Sequence, residues 1–519
     1  MKASDYKISK EKFVFSSDNT NLHDQKLETK PVTYMQDALH RFAKNKASIV
    51  AFVIICILFA FAIIAPIASP FKVINDDQYY TYRTPRLELF NKLGIHFWDG
   101  GTQKTSISKK QYEEYLAVQQ ELQHIDPDRT VIMTEPEITS EVYMGKEREY
   151  YSFRLDTINE IGVQWCHLSP SNWQKLMEYQ DSTGIQVVYP LTDPALRPEA
   201  QQDKTNGRIW YQTKMVNGKT EIVYDKDGKF IPIYLADNGM DMYTSKLYWE
   251  GDEKLYTYAE EKSGEYYFRA DYKEYYKFYH QEILGDRITE PNFIFGTNDS
   301  GKDLFTCLAY GARFSFILSL VVATVNLIVG AIYGSIEGYY GGWIDIVMER
   351  FVEILSSIPF MIVIVLLRYH LDASHMVILF ISFFLTGWTG MAARTRMQFY
   401  RFKNQEYVLV ARTLGAKDTR IMFKHIFPNA IGTLITGSVL VIPSVIFSET
   451  SLTYLNIIDL NVSNMTSVGT LLAKGQANLF TYPHMILFPA IFISLLMLSF
   501  NLFGNGLRDA FNPSLRGTE

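Results

Sequence analysis

Residues 47–71 contain no charged side chain, and residues 314–336 again contain none. A helix rises 1.5 Å per residue, so a hydrocarbon core of about 30 Å takes roughly 20 residues, and both runs are long enough. Four shorter uncharged runs follow, at 354–367, 376–393, 430–448 and 485–503. Any one of them could be a buried helix of a large soluble enzyme, but six together do not fit inside a soluble core. The run 354–367 is short. It spans only if Phe351, Val352 and Glu353 supply the first helical turn, or if it is buried inside the bundle where lipid thickness matters less. The expectation is a polytopic all-α membrane bundle of six transmembrane helices. The first run begins too late and is too long for a secretory signal, and it ends at Pro66, Pro70 and Phe71 without a small-x-small cleavage site, so it is read as a retained helix. The polar residues 1–46 before it are expected to lie along the membrane surface or to be partly disordered.

Charge sets the orientation. Arg41, Lys44 and Lys46 precede the first helix and keep the amino terminus in the cytoplasm. With six crossings, residues 394–425 also face the cytoplasm. They carry Arg394, Arg396, Arg401, Lys403, Arg412, Lys417, Arg420 and Lys424 against Glu406 and Asp418. Arg508 and Arg516 place the carboxyl terminus on the same side. Residues 72–290 then lie outside, with 37 acidic and 26 basic side chains, a balance that favours solubility.

That external segment has no run apolar enough to span, yet Trp165, Trp173, Trp210 and Trp249 supply the large surfaces of a folded core. Residues 207–234 read as strands with hairpin turns at Asn217-Gly218 and Asp227-Gly228. Residues 109–125 and 170–179 read as helices, the second with Ser169 as a cap. A mixed α/β domain is expected. Between 256 and 279 the aromatic residues Tyr258, Tyr266, Tyr267, Phe268, Tyr272, Tyr275, Tyr276 and Phe278 are read as strand and helix residues closing the core, the alternative being an interfacial belt or partner surface. Cys56, Cys166 and Cys307 are too scattered to suggest a disulfide. His124 and the pair Cys166-His167 have no ligand or orienting partner at a useful spacing, so neither a metal site nor a catalytic residue is proposed here. No cofactor and no nucleic-acid partner is implied.

The remaining motifs carry a resemblance. Before the second helix stand Phe295-Gly296-Thr297-Asn298-Asp299-Ser300-Gly301-Lys302-Asp303, then Gly311-Ala312-Arg313. The glycines permit tight backbone geometry, and Asp303 and Arg313 could tie the segment to the bilayer surface. After it come Glu337-Gly338-Tyr339-Tyr340-Gly341-Gly342-Trp343-Ile344-Asp345, Arg350, Glu353 and Ile358-Pro359. The cytoplasmic stretch Glu406-Tyr407-Val408-Leu409-Val410-Ala411-Arg412-Thr413-Leu414-Gly415-Ala416 reads as a short amphipathic helix and a glycine turn, and a second helix stopped by Pro428 follows. It suits docking to a cytoplasmic protein, or else is a positively charged loop that only fixes topology. Residues 449–455, 469–472 and 500–513 complete the series, and the first helix ends Ile64-Ala65-Pro66-Ile67-Ala68-Ser69-Pro70.

In this order these motifs resemble the C-type permease subunit of oligopeptide and dipeptide ABC importers over residues 295–513. The resemblance implies the type I permease fold and ATP-driven import of oligopeptides. It also implies a second homologous permease subunit, two cytoplasmic ABC ATPase subunits, an extracellular peptide-binding protein and surrounding membrane lipid. The chain has no Gly-x-x-x-x-Gly-Lys-Ser/Thr loop, so hydrolysis is assigned to the partner subunits. Residues 406–416 resemble the coupling-helix motif, whose Glu-Ala-Ala triplet is matched here only at Ala411, with Gly415 following. Leu409 and Val410 occupy its first two positions, and Glu406 lies one turn earlier. The expected organisation is a cytoplasmic segment 1–46, a first helix 47–71, an extracellular α/β insert 72–290, a five-helix permease core 291–513 with the coupling loop 394–429, and a cytoplasmic tail 514–519. The chief alternative is a membrane-anchored receptor or sensor; an enzyme with its site in the insert is a further one.

Overall fold

The computed structural model describes residues 34–511 apart from 74, 88–89, 91–95, 97, 124–125, 144–145, 190, 193–199, 203–209, 218, 223–231, 236–241, 245–255, 258 and 461–465. Asp227-Gly228, Trp249, His124 and Tyr258 therefore lie outside the described residues, as does the side chain of Trp210.

Helix α1 (Tyr34–Lys44) turns at Asn45 into α2 (Lys46–Ala68), and the Asn45 side chain caps α2 by accepting from the Ser48 amide at 3.2 Å. The residues before the first span are thus helical from Tyr34, with Ala38 buried and Phe42 edge-on to Phe503. Helix α2 buries small residues, Ser48, Ala51, Ala62 and Ala65, at helical spacing, and leaves Ile57 and Ile64 exposed as a lipid-facing surface.

After the insert, α6 (Leu304–Tyr340) begins the rest of the bundle. It continues with α7 (Gly342–Ser357), α8 (Phe360–His370), α9 (His375–Gly387), α10 (Thr389–Phe402), α11 (Glu406–Thr413), α12 (Asp418–Tyr454), α13 (Val468–Ala477) and α14 (His484–Phe511). Among the described residues five stretches are long and apolar enough to cross a membrane, α9 and α10 together making one of them, and the bent pair α7 and α8 makes a sixth. Here the reading of 354–367 as a continuous helix is corrected. The chain bends by 76° at Ile358-Pro359. Proline disfavours a helical residue before it, and Ile358 is accordingly extended at φ −80°, ψ 119°. Nor is the run buried in the bundle, since Ile354, Met361, Ile362, Val365 and Leu366 are all exposed.

The packing of α6 against α10 rests on Gly330, Gly334 and Gly338, one every four residues. A Cβ on them would stand 2.6 Å from Met391 Cβ, 2.1 Å from Ala392 O and 2.7 Å from Phe399 Cβ. The end of α12 meets α13 in the same way, Gly469 lying against Thr453 and Thr450. The motif residues 449–455 and 469–472 are thereby brought together. Inside the bundle the Ser315 hydroxyl donates to buried Glu449 at 2.7 Å.

The insert is mixed α/β. Strands β1 (Gly101–Ser108), β2 (Glu137–Tyr143) and β3 (Lys146–Asp156) form an antiparallel sheet in the order β1-β3-β2, with α3 (Lys109–Gln123) packed on it around Leu122, Phe153 and Leu155. A second sheet pairs β4 (Val163–Leu168) with β7 (Glu265–Asp271), which also pairs with β5 (Val188–Tyr189) and β6 (Glu260–Lys262). Helices α4 (Pro170–Thr183) and α5 (Tyr272–Phe278) pack around Tyr80, Leu176, Phe268 and Phe278. The aromatic stretch is therefore core rather than an interfacial belt. Trp173 stacks on Tyr266 and lies tilted against Phe268. Ser169 occupies the cap position of α4 as expected, but its side chain makes no capping bond and instead meets the Ser171 hydroxyl at 3.3 Å. The hairpin Trp210–Val216 with Lys219–Ile222 turns at Asn217, where φ is +52°. Strand alternation separates Cys166, buried, from His167, exposed.

Candidate functional site

Two motif clusters lie at opposite ends of the bundle. At the outer end, the segment 296–303 grips the start of the insert. Gly296 and Gly301 take φ of +78° and +73°, and a Cβ on either would stand 2.3 Å from Arg83 O or 2.0 Å from Asp77 O. The backbone continues the contact through Asp77 N to Ser300 O at 2.9 Å, Tyr82 N to Asn298 O at 3.0 Å and Thr297 N to Arg83 O at 2.9 Å. Asp299 accepts from Lys474 of α13 at 3.0 Å, and Tyr82 stacks on Tyr482 with ring centroids 4.5 Å apart. Gly311 lets α6 approach Ser467 and Val468.

Asp303 does not reach the bilayer surface. It is buried and caps α6, accepting from the Thr306 amide at 2.8 Å, and burial pushes its carboxyl up to about 6. Arg313 is exposed on α6 and has no partner among the described residues.

At the cytoplasmic end, α11 is the short helix read from the sequence. Val408 is its buried residue, packed with Phe399, Ile421, Met422 and Ile426. Gln405 occupies its amino-terminal cap position, and Gly415 at φ +79° turns the chain. Because Leu409, Val410 and Leu414 are exposed, Leu414 at 82%, the helix also offers apolar side chains to the cytoplasm, with Tyr407 beside them. The Tyr407 hydroxyl accepts from Asn429 at 3.3 Å. Glu406 is exposed and makes no hydrogen bond among the described residues, and Ala411 and Ala416 are half-buried.

Three polar ties join this platform to the membrane helices. Tyr339, at the end of α6, donates to Asp418 at 2.6 Å, and Arg412 lies over its ring at 5.7 Å and reaches its hydroxyl at 3.4 Å. Lys403 donates to Gly338 O at 2.9 Å. Arg396 grips Asp345 of α7 with two bonds, at 2.6 and 3.0 Å, while Glu337 and Glu349 lie 3.3 and 3.5 Å from the same guanidinium. Tyr400 also donates to Asp345. Gly341, at φ +67°, makes the turn that brings α7 back to this cluster. Arg350 and Glu353 instead form an exposed pair one turn apart, and Pro359 sits at the α7–α8 bend.

Apart from Arg313, Arg350, Glu353 and Pro359, the motif residues thus divide into an outer grip and an inner platform. In the sequence Arg396, Lys403 and Asp418 stand only as charges, and nothing there pairs Tyr339 with Arg412. The available signal was that these charges and the 337–345 motif all fall at one membrane face. Among the described residues no group of three His, Cys, Asp or Glu side chains could hold a metal ion.

Two family descriptions match the chain. Residues 326–517 match the binding-protein-dependent transport system inner membrane component, and residues 33–86 match the N-terminal TM domain of oligopeptide transport permease C. The oligopeptide transport system permease protein OppC of Bacillus subtilis is 42% identical over 235 residues, 45% of this chain and 76% of that protein. The dipeptide transport system permease protein DppC of the same organism is 38% identical over 224 residues, 43% of this chain and 69% of that one. A chain of the inward-facing MetNI methionine ABC transporter overlays at 15% identity and a TM-score of 0.33, covering 40% of this chain and 96% of that one, a likeness too low to weigh.

Proposed function

Because the chain belongs to the OppC/DppC family of ABC-importer permeases and is a membrane subunit of the translocation pathway, we propose that it is driven through residues 406–416 by two cytoplasmic ATPase subunits to import oligopeptides. The observation that carries this reading is the construction of α11. Its outward residues Leu409, Val410 and Leu414 are apolar and uncovered, while Val408, Arg412 and the following segment hold it firmly to the bundle. An uncovered apolar patch on a rigid support is what a docking partner needs. A push on α11 passes through Arg412 and Asp418 to Tyr339 of α6. Through Lys403 and Arg396 a push on the adjoining loop passes to Gly338 and Asp345. The moving elements are then the spans themselves, which open the pathway outward or inward.

In this assignment residues 1–46 and 514–519 are cytoplasmic, 47–71 and 291–513 are the permease proper with 394–429 as its coupling loop, and 72–290 are extracellular. A homologous second permease completes the pathway, and an extracellular peptide-binding protein delivers the substrate. Peptide backbones are alike while side chains vary, so a pathway with few specific polar contacts tolerates them. The insert, gripped by 296–303 and stacked on Tyr482, docks the binding protein or shields the pore mouth.

Co-purification tests the coupling site. Wild-type chain is expected to retain two ATPases and a second permease, and Leu414→Asp to lose the ATPases while keeping the second permease. Full ATPase retention and normal uptake in Leu414→Asp, and in Val410→Asp, would remove α11 as the docking surface.

A further inference from the structure

Where α2 leaves the membrane, its last turn, the start of α6 and the insert's returning segment enclose a cleft of about 670 Å³. Part of its wall is apolar, with Pro66, Ile67, Pro70 and Phe71 on one side and Tyr310 on the other. Ile67 is 76% exposed on that surface. The cleft's height follows from the charge pattern. The first uncharged run ends at Phe71, with Lys72 next, and the second begins at Phe314, with Arg313 before it. Lys72 and Arg313 thus mark the outer edge of the hydrocarbon, and Tyr310, one turn from Arg313 on the same face of α6, lies at headgroup level.

Three charged side chains line the cleft: Lys72, Asp286 and Arg287. Lys72 pairs with Asp286 and also donates to Leu284 O at 3.4 Å. Asp286 is buried and takes a second bond from His280 Nδ1 at 2.9 Å, and burial holds that imidazole below its usual range, so it adds no charge at neutral pH. Arg287 is exposed and has no partner among the described residues, and the same is true of Arg313. On a domain with 11 more acidic than basic residues, the membrane-facing return therefore presents uncompensated positive charge beside an apolar wall.

We propose that this cleft binds one anionic phospholipid of the outer leaflet, its phosphate against Arg287 and its acyl chains along the exposed end of α2. The charge calls for an anion, the apolar wall calls for hydrocarbon, and the level where they meet is the level at which a lipid joins the two. The lipid fills the gap between insert and bundle, acting as a third component of their junction.

Native mass spectrometry of the purified transporter complex, titrated with phosphatidylglycerol or phosphatidylcholine, tests this. One phosphatidylglycerol is expected to be retained per copy of this chain at voltages that strip phosphatidylcholine. Arg287→Gln is expected to weaken it about fivefold, in line with roughly 1 kcal/mol per surface cation. Arg287→Lys should keep most of the binding, and glycerol phosphate, which lacks acyl chains, should not displace the lipid. Arg350→Gln, at an exposed cation outside the cleft, should leave retention unchanged. Equal retention of both lipids would overturn the proposal, and so would unchanged phosphatidylglycerol binding in Arg287→Gln. An equal loss of both lipids in Arg287→Gln would do so as well, because the cleft would then select by shape and not by charge.

Discussion

Replacing Arg396 by leucine should be among the most damaging single changes in the cytoplasmic half of the bundle. The guanidinium makes two bonds to Asp345, at 2.6 and 3.0 Å, and lies 3.3 Å from Glu337, which is wholly buried, and 3.5 Å from Glu349. Hydrogen bonds to charged groups contribute about 1.5–3 kcal/mol each, and breaking a buried pair by removing one partner costs about 3–5 kcal/mol, mostly because the other charge stays behind. Arg396 is about a quarter exposed, so the lower half of that range, about 3–4 kcal/mol, is expected for Arg396→Leu. Lysine keeps the charge but cannot form the paired bonds, so Arg396→Lys should cost about half as much. If the stranded carboxylates carry the penalty, Glu337→Gln added to Arg396→Leu should restore about 1–2 kcal/mol, a coupling that a double-mutant cycle reads directly. The assay is unfolding of the purified chain in mixed micelles with rising SDS, followed by circular dichroism. A cost for Arg396→Leu below about 1 kcal/mol would refute the reasoning, as would Glu337→Gln deepening the loss instead of offsetting it.

Gly301→Ala places a Cβ 2.0 Å from Asp77 O at a positive φ, so it should open the outer grip. Limited proteolysis should then cut the insert's first segment several-fold faster, and an unchanged cleavage rate would contradict the close approach. Asp303→Asn keeps an acceptor for the Thr306 amide and removes a charge that burial disfavours. The wild-type carboxyl has a folded value of about 6, raised above its ordinary one, so its favourable contribution is present below about pH 4 and lost as pH rises through 6. Thermal melts at pH 4, 5.5 and 7.5 should therefore show the variant gaining on wild type as pH rises, by up to about 3 kcal/mol. Equal gains at all three values would refute this. Tyr339→Phe removes the hydroxyl shared by Asp418 and Arg412. In reconstituted vesicles ATP hydrolysis should continue while peptide uptake falls several-fold; a proportional loss of both would show that the hydroxyl does not transmit.

The bundle was legible because hydrocarbon imposes length and excludes charge, and these constraints act on each run separately. The broken span was not, since whether Pro359 kinks or ends a helix depends on what packs beside it. Val408 could be assigned to helix α11 from local pattern, but its burial comes from Ile421 and Ile426 beyond the Gly415 turn. The outward placement of Leu409, Val410 and Leu414 could not be read either, because apolar residues occur on both sides of that helix. The ties through Tyr339 and Arg396 span 51 to 79 residues of sequence, and nothing in a local window marks them. In the insert the aromatic stretch reads as strand and helix residues closing the core, and Tyr272, Tyr276 and Phe278 are indeed buried. The receptor reading gives way to the family membership of the helices on either side of the insert.

The chain leaves the bundle and returns to it almost at one point. The hydroxyls of Ser69 and Thr306 are 2.6 Å apart, although 237 residues separate them, and the rings of Phe71 and Phe293 are 5.0 Å apart. Loop-closure entropy grows by only about 0.6 kcal/mol per doubling of length, so a loop of this size costs roughly 2–3 kcal/mol more to close than one of a dozen residues. The cost falls on assembly order. If the insert folds first, its termini are already side by side and α2 and α6 meet as if joined by a short turn. A bundle assembling before the insert has folded must close that loop unaided. Folded first, the extracellular domain acts as a template for the membrane domain that surrounds it in sequence.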